Sequence, residues 1–165
     1  KINAIDKNLA NSWLKEEGCE QSLQYLMLAN DRPLLAYDLW KKDGLEHRRE
    51  LFDGFVALIK GQLDPLIFAE NCLSKKEFPI IKWLTSWLAD AVKYKYSNTA
   101  KQLLNVDLGE DLKVLPSKLH LSDLYGLLDK LGQLAQLEAS QLNHQLLFEE
   151  FSVDCFSASK IKGHK

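Results

Sequence analysis

The sequence holds few of the residues that build reaction centres or covalent crosslinks. Its three cysteines, Cys19, Cys72 and Cys155, are far apart and odd in number, and no CxxC pair exists. That argues against a zinc site and against a disulfide framework. Buried, reduced thiols in a cytoplasmic protein are the expected state. The four histidines, His47, His120, His144 and His164, are equally scattered. No apolar run approaches the ~18 residues of a membrane span, and no basic-then-apolar signal segment opens the chain. Strand signals are nearly missing: there is no sustained two-residue alternation and no Asn-Gly or Asp-Gly hairpin. A net charge of −2 gives no overall electrostatic case for nucleic acid or an anionic membrane.

Motifs of catalysis are missing as well. Without a GxxxxGK[ST] loop the chain has no P-loop cradle for a nucleotide. It has no GxSxG elbow, no HExxH and no Cys–His pairing of useful spacing. The carboxylate pairs Glu16-Glu17 and Glu149-Glu150 read as solvated helix faces. No catalytic, cofactor-binding or metal-ligating residue is assigned, and the chain is not expected to act as an enzyme by itself.

What the sequence does have is helix. Hydrophobic residues make up 46% and charged residues 27%, a globular composition with enough apolar material for a core. The chain opens at Lys1 directly in helical pattern, as a piece of a longer protein would. Ile5, Leu9 and Trp13 recur at helical spacing, and Gly18 closes that segment. Leu23, Leu26 and Met27 begin a second helix that ends near Asn30. Pro33 opens a third, because its missing N–H costs nothing in a first turn. Leu35, Leu39 and Trp40 mark the buried side of that helix. The polar stretch Lys41-Lys42-Asp43-Gly44 is the expected boundary of this small bundle.

Beyond the boundary, Leu45, Phe52, Val56 and Ile59 trace a longer helix stopping at Gly61. Asp64-Pro65 reads as cap and first residue of the next. Pro79 opens the clearest helix, with Ile80, Ile81, Leu84, Trp87, Leu88, Ala91 and Val92 on one face and Trp83 widening it. Trp40, Trp83 and Trp87 are better read as core or interface anchors than as a ligand cage. After Pro116, Ser122 or Asp123 can cap a final long pattern through Leu124, Leu128, Leu131, Ala135, Leu142 and Leu146. Gly126 and Gly132 weaken it, and they would also let a neighbouring backbone come close.

One basic-aromatic cluster stands out: Lys93-Tyr94-Lys95-Tyr96, followed by Lys101. Rings with interleaved lysines can stack bases and neutralise phosphates. At a helix C-terminus, lysines also meet the dipole and the unpaired carbonyls, and that structural role is the preferred reading. Lys93, Lys95 and Lys101 remain the nucleic-acid candidates.

Several segments, in order, resemble the delta-prime subunit of the bacterial DNA polymerase III clamp loader. Trp83-Leu84-Thr85-Ser86-Trp87-Leu88-Ala89-Asp90-Ala91-Val92-Lys93 resembles that family's W-L-x-x-L-L-x-D-A-L-K helix. Asn105-Val106-Asp107-Leu108 resembles the N-V-D segment that follows it. Leu121-Ser122-Asp123-Leu124 fits the L-S-x-x-x-L start of the long helix, and Leu142-Asn143-His144-Gln145-Leu146-Leu147-Phe148-Glu149 resembles the N-x-x-L-L-x-E collar signature. Upstream, Trp13-Leu14 and Leu28-Ala29-Asn30-Asp31-Arg32-Pro33-Leu34-Leu35-Ala36 are similar to the small helical lid of an AAA+ module. There the family pattern is A-x-G-S-P, and this chain has Asn30, Asp31 and Arg32 before its proline.

The resemblance implies an all-α fold: a three-helix AAA+ lid over residues 1–43, a helical-bundle collar over 44–156, and a flexible tail over 157–165. It also implies that Leu34 occupies the sensor-2 position, where ATP-hydrolysing relatives carry a phosphate-binding arginine. An aliphatic side chain supplies no charge there, so the subunit would not hydrolyse ATP. Its arginine finger would lie in an AAA+ domain absent from this chain. The family pattern places a helix start at Asn143, a good cap, and hence a break around residues 140–143 in the long leucine pattern. The implied partners are the other clamp-loader subunits, delta and gamma/tau, met through the collar in a five-membered ring; DNA is met only indirectly, and no membrane is involved. No cofactor is implied, and the location is cytoplasmic. Two alternatives stay open: an unrelated helical interaction adaptor, and a nucleic-acid binder using Lys93 to Lys101.

Overall fold

A computed structural model describes residues 6–97, 103–136 and 141–160. All regular structure among these residues is helical: nine α-helices and one 3-10 segment. The all-α fold expected from the sequence is the fold observed. The chain gathers into two compact units, Lys1–Glu50 and Leu51–Lys165. The division falls inside a helix, α4 (Gly44–Ile59), whereas the polar stretch at 41–44 pointed to that helix's start. The reason lies in the first turn of α4, which packs on the first unit. Gly44 sits against Leu39 of the preceding helix, and the Tyr25 side chain hydrogen-bonds the Leu45 backbone.

The first unit is built from α1 (Lys7–Glu16), α2 (Ser22–Leu28), α3 (Pro33–Lys41) and the start of α4. Asp6 caps α1 by accepting from the Asn8 N–H at 2.9 Å, and Gly18 ends that segment in the left-handed region at φ 95°. Pro33 is the first residue of α3, as the sequence predicts. Lys7 meets Asp31 at 3.0 Å, and the Trp13 and Tyr37 ring centroids lie 5.5 Å apart. These two pairs share one offset, so α1 and α3 run side by side in the same direction. Their buried stripes are Ala10 and Leu14 on α1 and Ala36 and Leu39 on α3, joined by Cys19, Tyr25, Leu26 and Ala29. Periodicity had put Leu9 and Trp13 on the inner face of α1. The helix is turned instead so that Leu9 is exposed and Trp13 half-buried, with Ala10 and Leu14 facing inward.

Asn30 and Asp31, between α2 and α3, both take left-handed backbone conformations, at φ 51° and 57°. The A-x-G-S-P pattern puts glycine at the position of Asp31, and the geometry gives the reason: a residue with positive φ is needed to turn the chain into Pro33. Aspartate is one of the few side chains that tolerate this region, and here its carboxylate also pairs with Lys7.

The second unit holds the rest of α4, then α5 (Pro65–Ser74), α6 (Ile80–Ser97), the 3-10 segment (Val106–Lys113), α7 (Val114–Lys118), α8 (Leu121–Gln136) and α9 (Gln141–Lys160). Asp64 caps α5 by accepting from the Leu66 N–H at 2.8 Å, with Pro65 in the first turn, as the dipeptide implies. At the start of α8 the cap is arranged differently from expectation. The helix begins at Leu121, and Asp123 reaches back from its first turn to accept the His120 N–H at 2.9 Å. That is the backward half of a capping box. Gly126 and Gly132 face open space, so no backbone approaches them.

The core of this unit is aromatic. The Phe55 ring lies among Phe68, Trp87 and Phe151, with centroids at 5.7, 6.1 and 6.4 Å, and Phe52 meets Trp87 edge-on at 5.0 Å. Four helices, α4, α5, α6 and α9, each contribute a ring. Such pairs add about 0.5–1.5 kcal/mol beyond the area they bury. Trp83 and Trp87 are thus core anchors, as read from the sequence.

The leucine pattern after Ser122 does not run as one helix. Lys130 of α8 bonds both Glu150 (2.7 Å) and Asp154 of α9. In one continuous helix residues 130 and 150 would stand about 30 Å apart, so the chain must fold back between them. With that reversal the inner face changes phase. Leu124, Leu127, Leu131 and Leu134 are buried on α8, and Phe148, Phe151 and Cys155 on α9, while Ala135 and Leu146 turn outward. Residues 137–140 and the side chain of Asn143 lie outside the described residues, and so does any capping by Asn143. In the backbone Asn143 falls within the first turn of α9. That helix also runs to Lys160, so residues 157–160, assigned to the tail, continue it. Lys160 lies 4.0 Å over the Phe156 ring, and the Ser159 hydroxyl donates to the Phe156 carbonyl at 2.8 Å.

Candidate interaction surface

The polar centre of the second unit is Asp90, a fully buried carboxylate on α6. Helical phase places it beside Leu84, Trp87 and Ala91, where an unpartnered charge would cost several kcal/mol, of order 3–5. It is well supplied. Its oxygens accept the backbone N–H groups of Leu104 at 3.0 Å and Asn105 at 2.8 Å, together with the Asn105 side-chain amide at 2.8 Å. Lys93, one helical turn on, brings its ammonium group to 3.5 Å. Asn105 is itself buried; its amide oxygen sits 3.3 Å from the Ser86 hydroxyl, which donates to the Trp83 carbonyl at 2.8 Å. The two sequence motifs ending in D-A-x-K and beginning with N-V-D are therefore joined face to face. The sequence did carry a signal for this: a lone aspartate on an otherwise apolar helix face demands a partner.

The consequence of the clamp is local and specific. With the Asn105 side chain turned inward, its two neighbours turn outward. Leu104 is 60% exposed and Val106 63%. Behind them Leu108 and Leu112 are buried, and Gly109 breaks the 3-10 segment at φ 48°, ψ −127°, a conformation open to glycine.

The basic-aromatic cluster is dispersed by the same geometry. Lys93 turns to Asp90, and Tyr94 and Lys95 line an open depression with Lys113, Pro116 and Ser117. Lys113 is bonded to Glu110 and stands 5.8 Å over the Tyr94 ring. Hydrogen bonding to Glu110 raises its pKa. The Tyr96 hydroxyl lies 3.4 Å from that of Tyr125, and this hydrogen bond raises the Tyr125 pKa. Lys95 is exposed, and Lys101 lies outside the described residues. The Tyr94 ring thus meets Lys113 and the Tyr96 hydroxyl meets Tyr125.

The other prominent surface is the outer side of α9. Leu146 and Val153 lie seven residues, or two turns, apart on the stripe opposite Phe148, Phe151 and Cys155, and are 57% and 43% exposed. The helix thus carries apolar side chains on both faces, so periodicity could not find its orientation. In the first unit Leu34, the sensor-2 candidate, is 78% exposed in the first turn of α3.

All three cysteines are free and buried, and burial raises the pKa of each thiol. Among the described residues no cluster of His, Cys, Asp and Glu is arranged to hold a metal ion, and no helix is long and apolar enough to cross a membrane.

Residues 42–154 match the family described as DNA polymerase III, delta subunit, C terminal, over more than half of the chain. The chain belongs to that family. Membership gives this delta-family chain a clamp-loader role in DNA polymerase III. The matched span holds both the Asp90–Asn105 clamp and the outer stripe of α9, and nearly all of the segment resembling a collar. None of the curated proteins compared with the chain matches it.

Proposed function

We propose that this chain is the lid and collar of a non-hydrolysing clamp-loader subunit of the delta-prime type, cytoplasmic, whose collar fixes it in the ring that loads the sliding clamp. Subunits that rearrange during an ATP cycle need one constant point of attachment, and a helical bundle with an apolar outer face supplies it through buried area. The observation that carries the reading is the outer stripe of α9, where Leu146 and Val153 stay exposed although the inner face of the same helix is fully packed. Covering both is worth about 2 kcal/mol, roughly thirty-fold in Kd. The lid over residues 1–43 rests on the ordered motifs and on the left-handed turn at Asp31. The delta-prime assignment rests on the ordered motifs, and the non-hydrolysing character on Leu34, which offers a phosphate no charge.

The test is reconstitution of the full-length protein with the remaining clamp-loader subunits, followed by light scattering. A stable complex is expected, weakened about thirty-fold by Leu146→Asp with Val153→Asp. Turnover of ATP by the isolated full-length protein, or failure to enter the complex, would overturn the proposal.

A further inference from the structure

We draw no further inference here: the strongest candidate, the apolar face of the first unit where the Trp13–Tyr37 ring pair of α1 and α3 is flanked by the exposed Leu9 and Leu34, carries nothing because nothing in the structure shows what covers it.

Discussion

Four glycines allow the packing around them to be tested by one kind of substitution with opposite expected signs. Gly126 and Gly132 lie within α8, with nothing within 4 Å of where a Cβ would stand. Alanine there removes backbone freedom from the unfolded chain and meets no obstacle, so each should stabilise by about 0.5–1 kcal/mol and the pair by about 1–2 kcal/mol. With a urea dependence of about 2 kcal/mol per molar, the midpoint for the second unit rises by roughly 0.5–1 M. At Gly44 the same Cβ would sit 2.9 Å from the Leu39 carbonyl oxygen and 3.2 Å from its Cβ. Backbone must move to admit it, at a cost of about 1–3 kcal/mol. At Gly109 there is space, but φ 48° with ψ −127° disfavours any side chain by about 1–3 kcal/mol. Urea melts followed by far-UV circular dichroism, and by the fluorescence of Trp83 and Trp87 in the second unit, would read all four. If Gly126→Ala and Gly132→Ala destabilise, α8 is contacted on that side and its exposed face has been wrongly identified. If Gly44→Ala is neutral, the first turn of α4 does not rest on Leu39.

Three further outcomes are expected. Asp31→Gly should hold stability within about 0.5 kcal/mol, the relief of a left-handed aspartate offsetting a half-exposed ion pair, while Asp31→Ala should lose about 1–2 kcal/mol; equal melts for the two would remove the argument for a dihedral requirement. The thiols of Cys19, Cys72 and Cys155 should resist alkylation at neutral pH until the protein unfolds, so prompt labelling of any of them in native buffer would contradict their burial. Because burial raises the folded thiol pKa values, the folded state keeps protons that the unfolded chain releases near pH 8.5. The stabilising contribution is complete below that pH and declines above it. At Lys130, burial opposes the charge, but hydrogen bonds to Asp154 and Glu150 outweigh it and raise the pKa, which acts in the same direction. Denaturant midpoints should therefore fall from about pH 9 upward; a flat profile from 8 to 11 would refute this.

Helix starts were the most legible part of the fold, because their chemistry is local. Pro33 and Asp64-Pro65 act through φ and one hydrogen bond, and both stand where the sequence put them. Faces were harder. A period of 3.6 residues says that a stripe exists but not which stripe meets the partner helix. Leu9 and Leu146 lie outward for that reason, while Ala10 and Phe148 lie inward. In α9 two apolar stripes oppose each other, so no single face could be read. The break in the long leucine pattern came from motif resemblance, and the contacts of Lys130 show why it is needed. The Asp90–Asn105 clamp escaped notice because its halves lie fifteen residues apart in separate motifs, and only the folded chain brings them together.

The left-handed turn at Asp31 bears on how relatives of this chain are recognised. A pattern that insists on the letter G before the proline would reject a sequence that meets the same torsion with another residue. Position 31 is better described by an angle, admitting glycine, asparagine and aspartate together. Aspartate, unlike glycine, adds a charge, and that charge has an answering lysine at position 7. Across an alignment, an acidic residue at 31 should therefore travel with a basic one at 7, and a glycine at 31 should release position 7 to vary.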